Sequence, residues 1–139
     1  MHESLPMAEL ELRVPFNDVD PMGVVWHGNY FRYLEQGRCE LLRQIGYDYN
    51  QMAASGYFWP VIDTRLKFVA PLRFDQRFVV QSRISEYENR LRIDYEFFDV
   101  ASGARTSKGY TIQVAVAMPS GEMRLASPPI LLQKLGIPS

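Results

Sequence analysis

The stretch D-V-D-P-M-G-V-V-W-H-G-N-Y, residues 18–30, sets two acids, Asp18 and Asp20, beside His27, one of two histidines in the chain. A carboxylate can attack an electrophilic carbon or take a proton from water. Gly23 and Gly28 lie in the same stretch, and glycine lets a backbone take shapes that a side chain forbids. The plain alternative is a polar turn whose Asp bonds backbone N–H groups of its own loop. That role is expected for Asp18 and competes with chemistry at Asp20. His27 has its own plain alternative, a satisfied polar side chain over an apolar wall. A D-x-D pair can also hold Mg²⁺, but that needs further carboxylates or phosphates. Asp63 is the distant candidate, so no metal is expected.

The flanking residues must position this stretch. Residues 9–16, E-L-E-L-R-V-P-F, alternate apolar and charged, which predicts a half-buried strand with Pro15 at its end or on a sheet edge. From Asn29 the period changes. Tyr30, Phe31, Leu34, Gly37, Leu41, Leu42 and Ile45 recur at helical spacing, with Arg32, Glu35, Arg38, Glu40 and Arg43 mostly on the other side. Asn29 is placed to cap this helix, and Gly46 lies just past its end. Gly37 on the apolar stripe predicts close approach of a sheet backbone. Cys39, mid-helix, reads as packing.

A short helix is expected over residues 47–55. Strands follow over 58–69, 77–87, 91–100 and 104–118. In the first, Ile62, Thr64, Leu66 and Phe68 share one face, and Asp63, Arg65 and Lys67 the other. In the last, Tyr110, Ile112, Val114, Val116 and Met118 share a face, and Ser107, Gly109, Thr111, Gln113 and Ala115 oppose them. Pro129 starts a short closing helix. Short links between successive strands imply antiparallel pairing. One buried helix and one antiparallel sheet make a two-layer α+β fold. No repeat or linker divides the chain, so one domain over residues 1–139 is expected.

Bulk properties narrow the function. The chain has 139 residues, 47% hydrophobic and 22% charged, with a formal net charge of −1. No global basic field points to nucleic acid or an anionic membrane. The single cysteine suits a reducing compartment. No apolar run approaches transmembrane length, and a cytoplasmic location is expected.

The pattern D-x-D-P-x-G-V-V-W-x-x-N-Y over residues 18–30 resembles the 4-hydroxybenzoyl-CoA thioesterase family of the hotdog-fold superfamily. The preceding strand, the following helix and the later F-V-A-P-L, residues 68–72, share the resemblance. It implies a hotdog fold, in which an antiparallel sheet wraps a long central helix. It also implies a homodimer joined edge to edge, in many members a homotetramer, with active sites at the dimer interface. The reaction implied is hydrolysis of an acyl thioester, from acyl-CoA or an acyl carrier protein, without metal or redox cofactor.

In this family the second acid of the D-x-D is the catalytic carboxylate, which carries over to Asp20. A thioester also needs its growing oxyanion held. The first N–H groups of a helix have no intrahelical partner, and those of residues 25–28 are placed to serve. The resemblance puts His27 and Gly28 at the site, with Val25, Trp26 and Tyr30 as substrate contacts. Trp59, in the aromatic run before Pro60, is a candidate for the acyl pocket. Asp63 is a candidate contact on a strand beside the partner's Asp20; its plain alternative is an ion pair with Arg65 or Lys67. Coenzyme A phosphates want basic residues, and Arg90 and Arg92 are the candidates, with Arg73 and Arg77 next. An acidic carrier protein would dock on arginines too. A hotdog dehydratase and a non-catalytic acyl-binding module stay open. Whether Asp20 is nucleophile or general base also stays open.

Overall fold

The computed structural model describes residues 5–138. Strand β1 (Met7–Arg13) leads through a loop and a 3₁₀ turn, His27–Asn29, into helix α1 (Tyr30–Gln44). Helix α2 (Tyr49–Ala54) follows, then β2 (Tyr57–Phe58), β3 (Val61–Phe68), β4 (Arg77–Glu86) and β5 (Leu91–Asp99). Strands β6 (Arg105–Gln113), β7 (Val116–Ala117) and β8 (Glu122–Met123) precede helix α3 (Pro129–Lys134). Five strands form one antiparallel sheet in the order β1-β4-β5-β6-β3, and β2, β7 and β8 form a small second sheet. The α+β layering expected from the periodicity is present.

Helix α1 lies over β1, β4 and β5. Its Tyr33, Leu34 and Leu41 join Phe78, Val80, Ile93 and Phe97 in a closed core. Gly37 is needed for this packing. A Cβ there would lie 2.6 Å from Val80 Cγ1 and 2.7 Å from Ser82 Oγ. The close approach is to strand side chains, not to the sheet backbone expected from the sequence. Beyond the helix, Gly46 takes φ +74° as its C-terminal stop. Asp48 caps α2 with a capping box closed by Gln51.

Several expectations are corrected. Asn29 does not cap α1, because the chain is already helical there and the turn begins at His27. Its amide instead donates to the Asp18 carbonyl at 2.9 Å. The strand over residues 58–69 breaks at Pro60, so Trp59 turns inward and β2 leaves for the small sheet. The strand over 104–118 stops at Gln113 for the same reason. Successive strands β3 and β4 are not neighbours, since β3 pairs with β6. Cys39 is exposed rather than packed.

Register decides which face of β6 looks inward. Ser107, Gly109 and Thr111 pair with buried Phe97, Tyr95 and Ile93, so the small, polar side faces the helix layer. Strand β3 continues that surface with Thr64, Leu66 and Phe68, and turns Asp63, Arg65 and Lys67 outward. Its far edge has no strand partner among the described residues. No described helix is long and apolar enough to cross a membrane.

Candidate active site

The two acids have different fates. Asp18 is 3% exposed. Its carboxylate accepts the Tyr33 hydroxyl at 2.6 Å and pairs with the Arg32 guanidinium. Its carbonyl accepts from the Trp26 N–H at 3.3 Å. Asp18 therefore clamps the loop to the first turns of α1, rather than bonding its own turn as expected. Burial, reinforced by the Asp18 hydrogen bond, pushes the Tyr33 phenol far above the usual tyrosine range.

Asp20 makes the turn bonds instead. Its Oδ1 accepts the Met22 and Val24 N–H groups at 2.9 and 3.3 Å. Gly23 supplies the positive φ, +80°, at the tip. The Asp20 N–H to Val24 carbonyl bond, 2.8 Å, and the Val19–Val25 bridge close the loop as a small hairpin. Asp20 is half-buried, and its Oδ2 has no hydrogen-bond donor among the described residues.

The segment 68–72 braces the hairpin from the other side. The Leu72 carbonyl accepts from Val25 N–H at 2.8 Å, and the Leu72 N–H donates to Tyr30 Oη at 3.0 Å. Val25 and Tyr30 are 3% and 1% exposed in the core. Both were candidate substrate contacts; in the protomer both are structural, because their side chains are fully enclosed. Trp26 is 64% exposed and lies across Gly28, where an added Cβ would run into the indole. The His27 ring packs on Phe68, with centroids 4.6 Å apart.

The N–H groups of Val25 and Trp26 are taken by Leu72 and Asp18. Those of His27 and Gly28 have no acceptor among the described residues. They open the helical run, where the positive dipole end lies. The helix start thus offers two free donors, and the hairpin that leads into it offers a half-free carboxylate.

The other candidates lie apart in the protomer. Trp59 is 5% exposed, and its indole N–H donates to Tyr47 Oη at 3.1 Å. Asp63 makes no ion pair with Arg65 or Lys67; its carboxylate accepts the Tyr110 hydroxyl at 3.4 Å. Arg92 stacks over the Tyr110 ring at 4.3 Å and pairs with Asp94. Arg90 pairs with Glu86. This outer-face cluster sits at the Val61 end of β3, while His27 packs at the Phe68 end. Five residue steps of strand run from Asp63 to Phe68, roughly 17 Å. Sequence reasoning missed Phe68 as the partner of His27, and Arg32 and Tyr33 as the Asp18 clamp. Helical spacing already put Arg32 and Tyr33 near the loop, but gave no partner for them.

Among the described residues no three His, Cys, Asp or Glu side chains converge as metal ligands would. Residues 14–135 match the family described as the thioesterase-like superfamily. The chain is 29% identical over 119 residues to a putative acyl-CoA thioesterase of Bacillus subtilis, covering 86% of this chain and 73% of that protein. It is 39% identical over 90 residues to a chloroplastic acyl-acyl carrier protein thioesterase of Arabidopsis thaliana, covering 65% of this chain and 47% of that protein. A solved 4-hydroxybenzoyl-CoA thioesterase in complex with 4-hydroxybenzoyl-CoA superposes with a TM-score of 0.81 at 17% identity, covering 94% of this chain and 99% of that one. That last likeness speaks to the fold, which is hotdog.

Proposed function

The chain belongs to the thioesterase-like superfamily, and from that premise we propose that it hydrolyses an acyl thioester of coenzyme A or an acyl carrier protein to free acid and thiol. One observation carries the mechanism. Asp20 keeps one carboxylate oxygen unbonded in the hairpin that leads into a helix start whose first two N–H groups, His27 and Gly28, are also unbonded. Asp20 attacks the thioester carbonyl carbon or takes a proton from the water that does. The two N–H groups hold the oxyanion, a contribution worth about 3 kcal/mol of barrier per donor. The thiolate leaves and is protonated; where Asp20 is the nucleophile, a water then cleaves the Asp20–acyl anhydride, which frees the acid and restores the carboxylate. Trp26 and His27 flank the reacting group, and Arg90 and Arg92 face the phosphates or acidic surface of the carrier.

The second copy comes through β3. Its edge exposes Val61, Ile62 and Phe68 at 40%, 56% and 40%, and an apolar open edge calls for a strand partner. Antiparallel pairing of two β3 edges about a two-fold axis runs the two α1 helices in opposite directions. The Asp63 end of one strand then lies level with the His27 end of the other, Asp63 on the outer face of the sheet and His27 against Phe68 on the inner face. A dimer so built supports the site, and two dimers make the tetramer.

The test is free-thiol release from aliphatic and aromatic acyl-CoAs and acyl carrier proteins, with wild type and Asp20→Asn. Asn keeps the turn acceptor and loses the charge. Turnover by wild type and a fall of about 10³ in kcat for a folded variant support the reading. Equal rates would make Asp20 structural. Tight binding without turnover would leave an acyl-binding module.

A further inference from the structure

A cavity of about 420 Å³ opens between the second half of α1 and the α2–β2 segment. Its size falls in the range of about 300–1,000 Å³ usual for small-molecule pockets. Leu42, Met52, Phe58 and Trp59 give it apolar walls, and Gln113 ties the Trp59 carbonyl to β6 through Nε2 at 2.8 Å. Arg38, Arg43 and Asp48 line it as well. Two of these charges are used locally. Arg43 pairs with Glu40, and Asp48 caps α2 by accepting the Gln51 N–H at 2.9 Å. Arg38 is half-buried and has no carboxylate at ion-pair distance among the described residues. Its guanidinium lies by the buried Tyr95 hydroxyl, which also bonds Thr111 Oγ1 at 2.8 Å. Burial raises the Tyr95 phenol, and the Arg38 charge works against that rise. The guanidinium thus turns in toward the sheet. It carries a fixed charge and five N–H donors, far more than one phenol oxygen can use. A cation drawn partly out of water without a counter-ion is costly. A bound anion removes that cost through paired N–H···O bonds.

We propose that this cavity binds an apolar carboxylic acid as its anion, with the Arg38 guanidinium on the carboxylate and the chain against Leu42, Met52, Phe58 and Trp59. One cation at the wall of an otherwise apolar cavity complements a ligand of that shape and charge. The carboxylate has two sources. One is the free acid that hydrolysis releases, which makes the cavity a seat for product inhibition. The other is a carboxyl at the far end of a dicarboxylic acyl group, which makes it a specificity pocket. Both sources rest on the thioesterase reading; the site itself does not.

Calorimetric Kd values for octanoate, dodecanoate and phenylbutanoate, each against its own primary amide, test the site at neutral pH. Wild type should bind the best acid about tenfold or more tighter than its amide, the size of one hydrogen bond to a charged group. Arg38→Met keeps an apolar side chain at the wall and removes the charge, and should bring acid and amide level. Arg38→Lys should restore part of the gap. Should the Met variant fail to fold, the ¹⁵N shift of Arg38 Nε in wild type decides: it moves with the acid and not with its amide. Equal Kd values for every pair in wild type, a gap that survives Arg38→Met, or an Nε shift blind to the carboxylate overturns the proposal. Two kinetic arms name the source. Inhibition of thiol release by the free acid, relieved in Arg38→Met, identifies the product. A higher kcat/KM for acyl-CoAs with a terminal carboxyl than for unsubstituted ones of equal length identifies the substrate. Thiol release without carboxylate-selective binding sinks this inference alone. Carboxylate-selective binding without any thiol release sinks the hydrolase reading and leaves the site.

Discussion

The sheet is built in two halves that differ in material. Beneath α1, strands β1, β4 and β5 present Ala8, Phe78, Val80, Ile84, Ile93 and Phe97, each 4% exposed or less. Toward the free edge, β6 and β3 present Ser107, Gly109, Thr111, Gln113, Thr64, Leu66 and Phe68. The first half is closed within the protomer. Each half holds one orphan hydroxyl, Ser82 beneath α1 and Ser107 on β6; the second adds an orphan amide oxygen at Gln113 and exposed apolar groups along β3. Stability is concentrated where the protomer is complete. The proposed chemistry draws on the half that is not, because unpaired donors, acceptors and apolar edges are what a substrate and a second copy can use. The hairpin of residues 18–25 leads from one to the other, with Asp18 tied into the closed half and Asp20 left with one carboxylate oxygen unbonded.

The largest effect that would break this comparison is expected at the edge. Ile62→Lys places a charge on a side chain that is 56% exposed in the protomer. The fold should keep its melting temperature, while sedimentation shows monomers. Thiol release should fall by about a hundredfold or more, as misplaced site halves do. An active monomer would make the open half a mere surface.

Next comes the hinge between the halves. Asp18→Ala strands the Tyr33 hydroxyl and releases the loop. Unfolding in urea should show a loss of about 2–3 kcal/mol, the size for hydrogen bonds to a buried carboxylate. Asp20→Asn should lose less than about 1 kcal/mol, since its amide oxygen still accepts from Met22 and Val24. Reversal of that order would exchange the roles assigned to the two acids.

Much of the closed half was legible in the sequence. Period two in residues 9–13 and period 3.6 from Tyr30 onward are signals that burial itself imposes, and β1 and α1 follow them. Breaks were less legible. Trp59-Pro60 and Gln113-Val114 end strands because the chain must leave one sheet for another, and apolar content runs unbroken through both. Strand order was hidden as well. The link over residues 69–76 is short but passes under the 18–30 hairpin, where Leu72 and Arg73 find their partners. The site divided along the same line. Local spacing and resemblance picked out Asp20, His27 and Gly28. Spacing did not separate the clamp from the free acid, since Asp18 is chosen by Arg32 and Tyr33 on the next helix. Gln113 was visible as a polar residue on a small-residue face, without the Trp59 carbonyl that gives it meaning.

The smallest expected effect tests how closed the closed half is. Tyr33 is 3% exposed, and burial followed by the Asp18 bond raises its phenol above the ordinary value of 10.0. In the unfolded chain the phenol titrates near pH 10, roughly. Above that pH the unfolded state releases a proton that the folded state retains. Fewer protons bound on unfolding means that stability falls as pH rises, from about pH 10 up to the raised folded value. Half a unit above the unfolded pKa, this one group should cost about 1 kcal/mol. Tyr30 and Tyr95 are also raised by burial and add to the same slope. Urea unfolding at several pH values should therefore show a steeper alkaline loss in wild type than in Tyr33→Phe, although the variant starts lower for want of the Asp18 bond. Equal slopes would mean that solvent reaches the phenol. The boundary between the halves would then run through α1 itself rather than beside it.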